Sequence, residues 1–255
     1  MLTLTSDFGA PYPAAMKGVI LSITDTRLVD VSHEMPRQDL PGSAFWLTRI
    51  LPYFPPAVHL VVVDPGVGTD RDVLAVRSGD HVLVGPDNGV LVPPAETLHE
   101  DPTYYVVDHD DPESSTFHGR DVFAPIAAEI HDAGIDRLET EDRFTRTNDF
   151  ETLTLPSANV EKTSAAGSVL TIDDFGNAIT SVPGEFIRGS FGEEIEVNGK
   201  RVPIARTYAS EDPGTALVTV GSHGNVELAV NQGRGAGAFD VDRGDEVVLR
   251  LSGVN

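Results

Sequence analysis

Cysteine is absent from all 255 residues, which excludes disulfides, thiolate metal sites and thiol catalysis at once. Lysine is scarce, occurring only at Lys17, Lys162 and Lys200. With 18 basic against 40 acidic residues, the formal net charge is −22, and such a surface repels nucleic acid and anionic membranes. Long apolar runs are missing too. The longest, Ala57–Val63, is strand-sized and contains His59, far short of a bilayer span. The opening MLTLTSDFGAPYP has neither the basic start nor the apolar stretch of a secretory signal, so a cytoplasmic protein is expected. Three signatures are lacking: the phosphate loop GxxxxGKS/T, the zinc-protease HExxH and the nucleophile elbow GxSxG. No close-spaced histidine set suggests a metal.

The acidic excess has two readings. It would attract a cationic ligand, or it would suit a high-salt cytosol in which screening removes self-repulsion. Acid spread from Asp25 to Asp245 favours the second.

The first half of the chain alternates in character. Leu2–Thr5, Leu28–Val31, Val58–Val63, Val73–Val76, His81–Val84 and Tyr104–Val107 read as strands. Tyr12–Ile23 reads as a helix with Ala15, Val19 and Ile23 on one stripe. Gly42–Tyr53, with Phe45, Leu47 and Ile50, and Arg120–His131 are further helices, Pro125 being tolerable in a first turn. The alternation predicts an α/β domain over residues 1–155, with a mostly parallel sheet and helices on both faces. Residues 136–163 are acidic and apolar-poor, and read as a connector. Beyond it, Ser168–Ile172, Ala178–Val182, Glu194–Val197, Val202–Ala205, Ala216–Val220, Val226–Val230 and Glu246–Leu251 are short β segments punctuated by Gly and Pro. They predict a small antiparallel, barrel-like domain over residues 165–255.

Five stretches combine turn glycines with polar residues, most of them where a predicted strand ends, the usual ligand edge of an α/β sheet. In Thr5-Ser6-Asp7-Phe8-Gly9, Asp7 suits a ribose diol or a helix cap equally well. In Asp64-Pro65-Gly66-Val67-Gly68-Thr69-Asp70-Arg71, a carboxylate ends a wholly apolar strand and an arginine follows seven residues later. That placement is costly without purpose. Gly85-Pro86-Asp87-Asn88-Gly89 reads as a hairpin turn. In Thr116-Phe117-His118-Gly119-Arg120, His118 falls just before a helix start, where free N–H groups can hold developing hydroxide. In Asp173-Asp174-Phe175-Gly176-Asn177, two carboxylates, an aromatic ring and an amide suit a purine or an ammonium group, or simply form an acidic turn.

In this order, TLTSDFG, DPGVGTDR, GPDNGVL, TFHGRDVFAP and DDFGN, with the closing GSHGNVELAVNQG, resemble the S-adenosyl-L-methionine (SAM) hydroxide adenosyltransferase family, relatives of the enzymes that make 5′-halogenated adenosines. The resemblance runs from Thr3 to about Gln232. It implies that water or hydroxide displaces methionine at the ribose C5′ of SAM, giving adenosine and L-methionine without a cofactor. It further implies that Asp64, Arg71 and His118 hold and activate the water, with Asp64 and His118 accepting the proton and Arg71 stabilising hydroxide-like charge. Asp7 would bind the ribose hydroxyls, Phe117 and Gly119 would line the substrate, Asp173 would meet the ammonium and Asn177 the adenine edge. Ser222 would contact the methionine carboxylate, next to His223, which stands where some halogenating relatives carry arginine. Those relatives also lack the Arg-His pair, so hydrolysis is expected rather than chlorination or mere SAM sensing. The resemblance also implies a homotrimer with sites at subunit interfaces.

Overall fold

Residues 1–110, 112 and 114–251 are described by the computed structural model. The chain divides into two units, Met1–Thr154 and Leu155–Asn255. In the first, the elements are β1 (Leu2–Ser6), α1 (Tyr12–Ile23), β2 (Leu28–Ser32), α2 (Leu40–Ile50), β3 (Val58–Val62), β4 (Val73–Ser78), β5 (His81–Pro86), α3 (Val92–Leu98), β6 (Thr103–Val107), α4 (Ala124–Ala133) and β7 (Phe144–Thr147). The sheet runs β2-β1-β3-β5-β4-β6-β7.

That sheet is mixed rather than mostly parallel. β2, β1, β3 and β5 pair in parallel, whereas β5, β4, β6 and β7 pair antiparallel. The reason lies in Gly79-Asp80, a two-residue loop with Gly79 at φ +60°, because so short a link joins only antiparallel strands. β4 therefore starts at the edge where β1, β3, β5 and β6 end.

Strand alternation sorts the side chains onto two faces. Leu2, Leu4, Leu60 and Val62 join Met16 and Ile20 of α1 and Ile126 and Ile130 of α4 in one core. Burying each such side chain contributes about 1.5–3 kcal/mol. Thr3, His59 and Val61 point to the opposite face. On that side the Ser78 hydroxyl donates to the Ala95 carbonyl of α3 at 2.6 Å, and α2 packs on α3.

Several boundaries differ from the sequence reading. The stripe that α1 buries is Pro13, Met16 and Ile20, one residue away from the expected Ala15, Val19 and Ile23, so the helix is turned by about 100°. α2 starts two residues earlier than expected, because Asp39 caps it by accepting from Gly42 N at 3.0 Å. Its last expected turn is a 3₁₀ segment, Leu51–Tyr53. α3 is unexpected, since Pro93-Pro94 hid a helix whose first turn needs no N–H from them. β7 lies inside the expected connector. As an edge strand it buries only Phe144, so its sequence lacks a strand's apolar alternation.

The second unit contains β8 (Asn159–Val160), β9 (Ser164–Ile172), β10 (Ala178–Pro183), α5 (Glu185–Arg188), β11 (Glu194–Val197), β12 (Lys200–Pro203), β13 (Ala216–Val220), β14 (Asn225–Val230), α6 (Gly235–Phe239) and β15 (Glu246–Leu251). The strands form one antiparallel sheet, β12-β11-β15-β9-β10-β14-β13, with β8 beside β9. A bridge between Ile204 and Val218 nearly closes it into a barrel. Val169, Val182, Ile195, Val226, Leu228 and Val247 fill its interior. The two short helical turns, α5 and α6, are additions to the expected all-β pattern.

Candidate active site

The edge where β1, β3 and β6 end bounds a cleft of about 610 Å³, the size of a small-molecule site. Asp7, Phe8, Tyr12, Asp64, Phe117, His118 and Gly119 all line it. β3 delivers Asp64 two residues past its end. Arg71 precedes β4 by two residues, and it reaches the same edge only because β4 runs antiparallel. In a parallel sheet the start of β4 would lie about 20 Å away.

The three expected catalytic residues form one chain of contacts. Arg71 Nε donates to Asp64 Oδ1 at 2.8 Å, and Arg71 Nη2 donates to Asp64 Oδ2. Arg71 Nη1 reaches His118 Nδ1 at 3.1 Å. All three are largely buried, and the guanidinium lies over the Phe123 ring, 5.2 Å from its centroid. Arginine only donates, so His118 Nδ1 is the acceptor and the neutral ring carries its proton on Nε2. Burial, and then the Arg71 charge, lower the pKa of His118, against an opposing pull from Asp64.

Local sequence explains this placement. Gly68, at φ +84°, comes so close to the Ser115 carbonyl that a Cβ would sit 2.9 Å from it. Its role is to let the Asp64–Arg71 loop pack on the loop that carries His118. Asn88 braces the end of β3, donating to the Val63 carbonyl at 2.9 Å while its own carbonyl oxygen accepts from Val90 N at 3.1 Å. The stretch expected to be a hairpin turn is thus a strand-to-helix turn that holds the residue before Asp64. His118 opens a π-turn, Gly119–Phe123, that leads into α4. Its Arg120 and Asp121 amides both donate back to the Phe117 carbonyl, so these two N–H groups of the expected helix start are already used. Asp7 does not cap α1; its Oδ2 accepts from Gln38 N at 2.7 Å. Phe8, Tyr12 and Phe117 meet edge-to-face, with ring centroids 5.5–6.2 Å apart.

In the second unit, Asp173 accepts from Asn177 twice, from the backbone N at 2.8 Å and from Nδ2 at 3.1 Å. The turn between them exposes Phe175. Ser222 is exposed in the β13–β14 turn.

A profile of the SAM hydroxide adenosyltransferase N-terminal domain matches residues 2–139, and one of the C-terminal domain matches residues 167–248. The chain belongs to the SAM hydroxide adenosyltransferase family. Similar proteins include (R)-S-adenosyl-L-methionine hydrolases from Thermus thermophilus, 39% identical over 96% of this chain and 97% of that one, and from Salinispora tropica, 36% identical over 96% of each. A hydrolase of that name from Methanocaldococcus jannaschii is 32% identical over 98% of this chain and 95% of its own. Among solved structures, an uncharacterized conserved protein from Thermotoga maritima has a TM-score of 0.85 at 32% identity, covering 98% of this chain and all of its own.

This member of the family also holds functional candidates that sequence reasoning missed. Tyr208 donates its hydroxyl to the buried Glu227 Oε1 at 2.6 Å, and Glu227 Oε2 lies 3.4 Å from His223 Nε2. A glutamate inside the Val226–Val230 apolar run was the available signal. Among the described residues, no group of three or more His, Cys, Asp or Glu side chains is arranged to hold a metal ion, and no helix is long and apolar enough to cross a membrane.

Proposed function

We infer that this protein hydrolyses S-adenosylmethionine to adenosine and L-methionine, by in-line attack of water or hydroxide at the ribose C5′. The observation that carries this reading is that Asp64 and His118, both in the cleft wall, are joined through Arg71. The leaving group is a neutral thioether departing from a sulfonium, so it needs no acid. The weak partner is the nucleophile, which must be oriented and stripped of proton character.

The hydrogen bonding supports a division of labour different from the one first expected. With Nδ1 occupied by Arg71, His118 has an Nε2–H donor to offer, not a lone pair. It therefore acts by holding the nucleophile's oxygen and stabilising hydroxide, as oxyanion donors do. Arg71 fixes the ring and adds positive charge. Asp64 orients Arg71 and takes the share of the water proton that is finally passed to solvent. Asp7 binds the ribose diol, with Phe117 and Gly119 against the nucleoside. Asp173, Asn177 and Ser222 serve the ammonium, the adenine and the carboxylate. We carry over the homotrimer with sites at subunit interfaces, a cytoplasmic setting and adaptation to high salt as parts of the same reading.

The names of the relatives favour the (R)-sulfonium epimer. A halide nucleophile would have no use for the Arg71–His118 pair, because it needs desolvation rather than proton control. The test is adenosine release from each purified SAM epimer, with chloride present, by wild type and by His118→Ala. Adenosine from the (R) epimer, falling by about 10²–10³-fold in the variant, is expected. Chlorinated nucleoside as the main product, or undiminished release by the variant, would overturn it.

A further inference from the structure

A second chain of polar side chains ends on Ser6, the residue before Asp7 of the cleft, and the reaction proposed above leaves it unused. Lys17 Nζ on α1 donates to Asp30 Oδ2 on β2 at 2.6 Å. Asp30 Oδ1 lies 3.1 Å from His33 Nε2, and His33 Nδ1 lies 2.7 Å from Ser6 Oγ at the end of β1. The serine, histidine and aspartate follow the order of a hydrolase triad, but the ring is reversed: aspartate meets Nε2 and serine meets Nδ1. Ser6 is also fully buried, so its hydroxyl cannot reach a substrate. A nucleophilic role is excluded, and a positioning role fits.

Asp30 only accepts, so His33 Nε2 carries a proton. Nδ1 then accepts from the Ser6 hydroxyl when the ring is neutral and donates to it when the ring is charged, so the contact survives in either state. Ser6 is followed directly by Asp7, which faces the cleft. The loop after β2 returns to the same spot three more times. Gly9 N donates to the His33 carbonyl at 2.9 Å, and Met35 N donates to the Ser6 carbonyl at 3.2 Å. Gln38 N donates to Asp7 itself. The His33 side chain ties this loop both to β1 and, through Asp30, to β2 and α1.

We propose that Ser6, His33 and Asp30 are positioning residues that hold Asp7 in register to bind the ribose hydroxyls of the substrate. This rests on the reading of Asp7 given above. Because a ribose contact is made alike in ground and transition states, its loss appears in KM and in nucleoside affinity rather than in kcat.

The experiment measures adenosine binding by calorimetry, SAM kinetics and thermal stability on the full chain. His33→Ala is expected to raise the adenosine Kd and the SAM KM roughly tenfold, the size of one charge-assisted hydrogen bond, with kcat within about twofold. His33→Asn, which keeps a polar atom facing Ser6, restores most of that loss. Ser6→Ala reproduces the His33→Ala effect and serves as the readout if His33→Ala does not fold. Asp7→Asn is the separate control for the ribose reading. If Asp7→Asn weakens adenosine binding while Ser6→Ala and His33→Ala leave Kd and KM unchanged, the positioning proposal fails. If Asp7→Asn leaves adenosine binding unchanged, the ribose reading itself fails, and the proposal with it.

Discussion

At the residue scale, His118 shows how one hydrogen bond redirects a functional reading. A histidine beside a glycine in a cleft suggests a base, but the Arg71 contact at 3.1 Å removes the lone pair that a base would use. Protonating the ring means placing a proton on Nδ1, which breaks that contact and sets two cations together. Burial and the Arg71 charge already lower the His118 pKa below its ordinary value of 6.5. We therefore predict that kcat/KM is level above that pH and falls as pH drops through a midpoint below 6.5. A pH–rate profile measures it, and an acid limb centred above 7 would contradict the donor role.

At the element scale, the half-and-half sheet decides where the candidate catalytic residues meet. Asp64 was legible in the sequence as a charge ending an apolar strand, and Arg71 as a partner seven residues on that a folded-back loop could return to it. The strand polarity behind their meeting was not legible, because it depends on the Gly79-Asp80 link rather than on apolar alternation. The strands that form the core were readable from their β-branched runs. β7 was not readable, because an edge strand with a single buried residue leaves almost no apolar signature, and α3 hid behind Pro93-Pro94. The Tyr208–Glu227 pair escaped because nothing local in the sequence announces a partner 19 residues away. Asn88 belongs at this scale too, since it ties the end of β3 to the turn before α3. Replacing it with alanine leaves the Val63 carbonyl and the Val90 N–H without their partner, at a cost of about 1–3 kcal/mol. Asn88→Ala is expected to lower the urea midpoint and also kcat, because Asp64 is the next residue but one beyond the strand. Equal stability and activity in the variant would show that the brace is idle.

At the scale of the whole molecule, a net charge of −22 repels itself over a distance that salt controls. The Debye length shrinks from about 10 Å at 0.1 M to about 3 Å at 1 M. On the high-salt reading, Tm climbs through that range and the protein sediments as a trimer of 27.3 kDa chains once repulsion is screened. Differential scanning calorimetry and analytical ultracentrifugation across a sodium chloride series test both parts. A Tm indifferent to salt would assign the acid excess to something other than habitat, and a single-chain mass at every salt concentration would remove the trimer.

The three perpendicular rings of Phe8, Tyr12 and Phe117 have a consequence for alignment. Phe8 follows the carboxylate proposed to grip the ribose, and Phe117 precedes the histidine proposed to grip the nucleophile. A displacement attack tolerates little angular error between its two partners. By wedging these loops against each other, the rings make them a single jaw, so that the carbon and the oxygen attacking it are aimed by the same rigid part.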